Sequence, residues 1–148
     1  MKFTLADRDA RPLDRREVEE MLSGPNILRL GLIDERDGSP IVHPVWFYYE
    51  NEMLFIATDT DGAKARSLRK NPHVYFVVDV AQGPPRGVRG KGTARVSDDH
   101  AYATEVTRKC AEKYLGTTES EIAKKIIESG SDSSVIEVIP SFIATWKF

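Results

Sequence analysis

Residue types and spacing point to chemistry in one stretch, Phe55-Ile56-Ala57-Thr58-Asp59-Thr60-Asp61-Gly62-Ala63-Lys64-Ala65-Arg66. An apolar strand runs out into a turn of hydroxyls, carboxylates and glycine, and a helix then opens with Lys64 and Arg66. A helix N-terminus presents backbone N–H groups that have no intrahelical partner, together with a partial positive charge. The Thr58 and Thr60 hydroxyls and the Lys64 ammonium would complete a site for a phosphate group. Asp59 and Asp61 act against it, since they can cap the helix themselves and would repel a phosphate if turned inward. Two readings therefore stand side by side: an anion site, or a capped helix whose Lys64 and Arg66 form a solvated face. The run is not a Gly-x-x-x-x-Gly-Lys-Ser/Thr loop, which excludes a nucleotide triphosphatase of that kind.

Other chemistries find little support. The histidines His43, His73 and His100 include no pair at the i, i+4 spacing of a helical metal site, and a lone cysteine supplies no multi-cysteine zinc site. Cys110 reads as a packed helix residue, with no base identified beside it, and also excludes an internal disulfide. No Gly-x-Ser-x-Gly elbow marks a serine hydrolase. A formal net charge of -2 gives no general attraction for nucleic acid or an anionic membrane. The segment Met1 to Leu13 is broken by Lys2, Asp7, Arg8, Asp9 and Arg11 and holds no apolar run of signal-peptide type. Nowhere does the chain approach the roughly 18 to 20 apolar residues that span a bilayer. A cytoplasmic location is the expectation.

The elements that would position these residues follow from their periodicity. The 148 residues suit one domain, spanning 1–148. Asp14 with Glu17 three residues on begins a short helix that Gly24-Pro25 ends, and Val18, Met21 and Leu22 share its apolar face. Strands follow over Ile27–Ile33, Ile41–Tyr49 and Met53–Ala57, joined by polar turns, the first carrying Asp37-Gly38. A helix over Ala63–Lys70 stops before Asn71-Pro72. Val74–Val80 is an almost continuous apolar strand, and Val88–Val96 carries Gly90 and Gly92, the mark of a bulge or a close backbone approach.

A helical section runs from Asp98-Asp99 to about Ser129, broken near Gly116. Thr118 and Glu121 are spaced as a capping box for its second half, and Ile122, Ile126 and Ile127 form a stripe. Two last strands, Val135–Ile139 and Phe142–Phe148, are separated at Pro140. Short turns between the first three strands forbid parallel crossovers. The predicted class is mainly β with accessory helices, an antiparallel six- to seven-stranded split β-barrel.

Several runs then resemble one family. His43-Pro44-Val45-Trp46-Phe47-Tyr48-Tyr49, Met53-Leu54-Phe55-Ile56-Ala57-Thr58 and Lys64-Ala65-Arg66-Ser67-Leu68-Arg69-Lys70-Asn71-Pro72-His73-Val74 are similar to segments of the pyridoxamine 5′-phosphate oxidase-like split barrels. Val88-Arg89-Gly90-Lys91-Gly92-Thr93-Ala94 and the closing Trp146-Lys147-Phe148 extend the likeness. The resemblance implies a flavin-dependent oxidoreductase acting on a small molecule, with FMN, or in some branches the deazaflavin coenzyme F-420, bound at the interface of a homodimer. A flavin-binding module without dedicated catalysis is the alternative. In matched positions Thr58 and Lys64 would hold the phosphate with Thr60 or Arg66 nearby. His43, Pro44, Val45, Trp46 and Phe47 would line the ring system, and Trp146 would pack on its dimethylbenzene edge from the partner subunit. One of Arg86, Arg89 or Lys91 would place positive charge near the pyrimidine edge. The chain departs from the family's vitamin B6 oxidases in two places: Ser141 to Trp146 stands where they carry Arg-x-His, and Ala63 precedes Lys64 where they carry Arg.

Overall fold

The computed structural model describes residues 1–6 and 9–148; Asp7 and Arg8, read above as interrupting the N-terminal segment, lie outside the described residues. Among the described residues no helix is long and apolar enough to cross a membrane. The elements in chain order are β1 (Lys2–Leu5), α1 (Arg15–Ser23), β2 (Leu28–Ile33), β3 (Pro40–Val45), β4 (Tyr48–Glu50), β5 (Met53–Asp59), α2 (Ala63–Lys70), β6 (His73–Val80), β7 (Arg86–Ser97), α3 (His100–Leu115), α4 (Glu121–Glu128), a 3-10 turn (Ser129–Asp132) and β8 (Ser133–Lys147).

The strands form one curled sheet in the order β3-β2-β6-β7-β8-β5-β4, antiparallel throughout, with β1 added in parallel against β8. Alternate side chains fill its concave side. Leu28, Leu30 and Leu32 of β2, Val74, Phe76 and Val78 of β6, Leu54 and Ile56 of β5, and Ile136 and Ile143 of β8 meet there, with Phe47 among them. Helix α1 covers this core with Val18, Met21 and Leu22, and α2 with Leu68. On the opposite face of β5 and β8, α3 buries Ala103, Val106 and Cys110 against Val135. The split-barrel class read from the sequence is the one observed.

Helix α1 begins as predicted: the Asp14 side chain accepts from the Glu17 N–H while the Glu17 carboxylate accepts from the Asp14 N–H. Four local expectations differ from what is found. Lys2–Leu5 forms a strand that no burial pattern announces, because all four residues are exposed. The single strand expected over Ile41–Tyr49 breaks at Trp46-Phe47 into β3 and β4. Pro140, expected to separate two strands, sits inside the continuous β8. Its missing N–H is absorbed by an irregularity in the ladder, where Lys91 pairs with Phe142 but Gly92 already pairs with Pro140. Finally, Ser120 rather than Thr118 caps α4, accepting from the Ala123 N–H, so Ala123 and Ile127 are buried while Ile122 is exposed.

The turn between β2 and β3 carries an electrostatic consequence. The Arg36 guanidinium grips the Asp34 carboxylate, and with the Arg36 N–H it holds that acid at about 2 against an ordinary 3.8. A carboxyl whose folded value is depressed stabilises the fold above its unfolded value and loses that contribution as pH falls. Thermal stability should therefore decline as pH drops from about 3.8 toward 2. Melting curves across that window are the check, and Asp34→Asn should flatten this part of the decline; an unchanged slope in the variant would assign it to other acids.

Candidate functional site

Strand β5 delivers Thr58 to the edge of the barrel opening, and the chain then turns through Gly62 into α2. Gly62 occupies the cap position without a side-chain hydrogen bond, so neither Asp59 nor Asp61 caps the helix. The Asp59 carbonyl instead accepts from the Gly62 N–H, which closes the turn. The second residue of α2, Lys64, is half-buried and makes no hydrogen bond or ion pair with any described residue. Thr58 is 8% exposed, and its hydroxyl is likewise without a hydrogen-bond partner.

Both residues face one cavity of about 290 Å³. Pro44, Val45 and Trp46 at the end of β3 line it, along with Ala57, Thr58 and Asp59 of β5 and Lys64 of α2; Thr107, Cys110, Ile126, Ser129 and Ser133 complete it. Next to this cavity is a third unsatisfied group. His43 Nε2 is enclosed and has no hydrogen-bond partner among the described residues. Burial, reinforced by the Lys64 charge, holds the His43 imidazole below its ordinary value, so it is neutral at neutral pH. A half-buried cation without a counterion among the described residues and an unbonded hydroxyl converge on one hollow. That arrangement suits a phosphate group, with charge-assisted hydrogen bonds from Lys64 and one from Thr58.

Six of the eleven residues singled out in the sequence do not join this cluster. Phe47 is fully buried in the barrel core. Thr60 donates to the Asp132 carbonyl and accepts from the Ser134 hydroxyl, in a separate hollow with Asp59, Asp61, Gly62, His100 and Asp132. Arg66 is exposed, paired with Glu35 at 2.9 Å and donating to the Asp61 carbonyl. Arg89 lies exposed on the outer face of β7. Trp146 lies across Gly87 of its own chain, so close that a Cβ there would fall 2.2 Å from the indole ring. His43 borders the cluster without lining the cavity.

Conversely, Thr107, Cys110 and Ile126 were not anticipated as cavity residues. Nothing local marks them; they arrive because α3 packs over β5 and β8 and α4 packs on α3. Burial pushes the Cys110 thiol up to about 11, so it is protonated at neutral pH and unsuited to nucleophilic attack.

A third feature is the convex side of β3, β2, β6 and β7. Val42 and Tyr75 stand exposed there beside Gly31, over a groove of about 580 Å³ that extends to Lys91, His73 and Ser141.

Comparison with known proteins places the chain among relatives of this architecture. The sequence profile described as pyridoxamine 5′-phosphate oxidase matches residues 15–147. No curated protein matches the chain in sequence. Among solved structures, a conserved hypothetical protein, Rv2991, from Mycobacterium tuberculosis superposes with a TM-score of 0.82 at 19% identity, over 97% of this chain and 90% of that one. A structure described as an F420 reductase gives a TM-score of 0.70 at 24% identity, covering 85% and 94%. An FAD-binding protein from Mesorhizobium loti gives 0.68 at 19% identity, covering 95% and 99%. At such identities these structures share the fold with this chain.

Proposed function

The chain belongs to the pyridoxamine 5′-phosphate oxidase family, and from that premise we propose that it is a flavin-binding protein that takes FMN by its phosphate at the Thr58–Lys64 cavity and serves an oxidoreductase reaction on a small molecule. The observation that carries this reading is the unpaired, half-buried Lys64 sharing a cavity with the unbonded Thr58 hydroxyl. Bound there, a flavin supplies the hydride or electron transfer, and the protein supplies binding, orientation and electrostatics. Lys64 and Thr58 would bind the phosphate. Pro44, Val45 and Trp46 would give the apolar wall on which the attached group rests, and neutral His43 would offer its unsatisfied Nε2 as a hydrogen-bonding atom. Thr60 and Arg66 are held by other partners, so either would have to exchange them to reach the ligand.

The coenzyme F-420 reading has one observation in its favour, the structural likeness to an F420 reductase. Both ligands carry phosphate, so the same cavity serves either. A pyridoxamine 5′-phosphate substrate is disfavoured by Ser141 to Trp146, which offer no Arg-x-His pair.

The convex face with Val42 and Tyr75 is the natural seat for a second copy of the chain. A two-fold contact there would bury the apolar groove and place two equal cavities in one assembly. Sedimentation should find a dimer, and Val42→Asp should shift it to monomer; an unchanged dimer in that variant would move the interface elsewhere.

The experiment for the flavin reading is direct. The molecule released on denaturing the purified protein should be FMN or F-420, and the emptied protein should bind the same molecule again with its fluorescence quenched. A protein that releases neither and binds neither in titration refutes the reading. Competition between FMN and F-420 decides between the two. Turnover with a reduced nicotinamide donor across an acceptor panel then separates an oxidoreductase from a flavin-binding module.

A further inference from the structure

The break between β3 and β4 is held from outside the sheet. Trp46 and Phe47 turn opposite ways: Phe47 enters the barrel core with 0% exposure, and Trp46 leaves it to stack on Tyr114 of α3, with ring centroids 4.7 Å apart and planes 8° apart. Outside any strand, the Phe47 N–H and C=O have no ladder partner, and burying them unpaired would be costly. Two adjacent residues of α3 satisfy both. The Tyr114 hydroxyl accepts from the Phe47 N–H at 3.2 Å, and the Lys113 ammonium donates to the Phe47 carbonyl at 2.9 Å. The same two groups reach the last turn of α1 and the loop that follows it. Lys113 donates to the Leu22 carbonyl at 2.9 Å, and Tyr114 donates to the Asn26 carbonyl at 2.7 Å. The ammonium also sits 3.5 Å from the Phe47 ring centroid.

Lys113 is half-buried and has no carboxylate partner among the described residues, and burial pulls it down to about 8 from an ordinary 10.5. The two carbonyls and the ring face act the other way, favouring the proton. A lysine in such a place is a poor choice for packing alone. Its placement makes sense as a donor that must reach two carbonyls on two different segments. The segment it holds contains Trp46, which lines the same cavity as Thr58 and Lys64.

We propose that Lys113 and Tyr114 are positioning residues that clamp Trp46-Phe47 against α3 and thereby fix the apolar wall of the phosphate cavity. Its effect on ligand affinity rests on the flavin reading above; its effect on Trp46 does not.

The test uses two near-isosteric variants of the whole chain, Lys113→Met and Tyr114→Phe. Incorporating 5-fluorotryptophan gives one fluorine resonance for each of the two tryptophans, assigned through Trp46→Phe. In the ligand-free protein, both variants should move and broaden the Trp46 resonance while leaving that of Trp146 in place. Lys113→Met should also weaken FMN binding roughly tenfold, and Tyr114→Phe, which keeps the stacked ring, by less. If Lys113→Met does not fold, Tyr114→Phe still decides through the same two readouts. A Trp46 resonance that stays put in both variants overturns the clamp. A moved resonance with unchanged FMN affinity overturns its role in positioning the ligand. Wild-type protein that ignores FMN and F-420 refutes the flavin reading, and the Trp46 resonance alone then decides the clamp.

Discussion

Replacing Lys64 by methionine and Thr58 by valine in one protein weakens FMN binding by about a hundredfold or more while the barrel stays folded. The magnitude comes from the interactions removed. A charge-assisted hydrogen bond to a phosphate is worth roughly 1.5–3 kcal/mol and a neutral one roughly 0.5–1.5 kcal/mol. Together these make about 3 kcal/mol, or about two factors of ten in the dissociation constant. The fold should survive because neither side chain is bonded within the protein. Among the described residues, Lys64 has no carboxylate partner and the Thr58 hydroxyl no acceptor or donor. Methionine and valine keep the apolar volume that each contributes. Fluorescence titration of FMN measures the loss, and circular dichroism with a melting curve measures the fold. Full-strength FMN binding by the folded double variant would remove the cavity from consideration as the phosphate site.

The same variant has a signature independent of ligand. Burial is the larger influence lowering the His43 imidazole, and the Lys64 charge is the second. Lys64→Met removes the second and should raise the His43 titration in the ligand-free protein, as followed by proton resonances of the ring. By the same logic, a bound phosphate placed beside Lys64 should raise it in the native protein. Agreement of the two shifts would locate the anion near His43 as well as Lys64.

What the sequence reveals of this site follows the range of the forces involved. The strand, turn and helix over residues 55–66 are legible because each signal is local: β-branched and aromatic residues, then hydroxyls and glycine, then a helix opening on Lys64. The partners of Thr60 and Arg66 are not local. Asp132 and Ser134 capture Thr60 from more than 70 residues away, and Glu35 captures Arg66 from 31. A motif read along the chain therefore groups four side chains that the fold divides between two hollows and an exposed ion pair. Phe47 shows the complementary case. Alternation carries through the break between β3 and β4, with Val45, Phe47 and Tyr49 facing the barrel core and Trp46 and Tyr48 the opposite side. The break itself has no local signal, because the groups that bond the Phe47 backbone, on Lys113 and Tyr114, come more than sixty residues later. Pro140 misleads for a different reason. The residue argues for a strand end on its own, but the partner strand supplies the compensation through the irregular pairing at Lys91 and Gly92.

Those glycines give the second large effect. Gly92→Ala is expected to destabilise the protein by about 3 kcal/mol or more. An added Cβ at Gly92 would stand 2.3 Å from the Ile139 carbonyl oxygen and 2.9 Å from its carbon. Both are backbone atoms of the paired strand, so no side-chain rotation relieves the overlap; β7 and β8 must part. At Gly90 the added atom meets the Phe142 carbonyl oxygen at 2.5 Å and the ring of fully buried Phe76 at 2.6 Å, and a comparable loss is expected. Gly83 is the contrast. Its φ is +71 and nothing lies within 4 Å, so alanine there meets only the left-handed backbone penalty, about 1 kcal/mol. Against a whole-protein stability of roughly 5–15 kcal/mol, the strand variants should lower the urea midpoint strongly and the melting temperature by about 10 °C, while Gly83→Ala moves both slightly. Equal small effects at Gly92 and Gly83 would mean that β7 and β8 are not held at this separation. The bulge then could not explain how β8 runs straight through Pro140. Because β8 pairs with β5 over Leu54 to Asp59 and with β7 over its whole length, a loosened β7–β8 seam would also reach Thr58 and the cavity it lines.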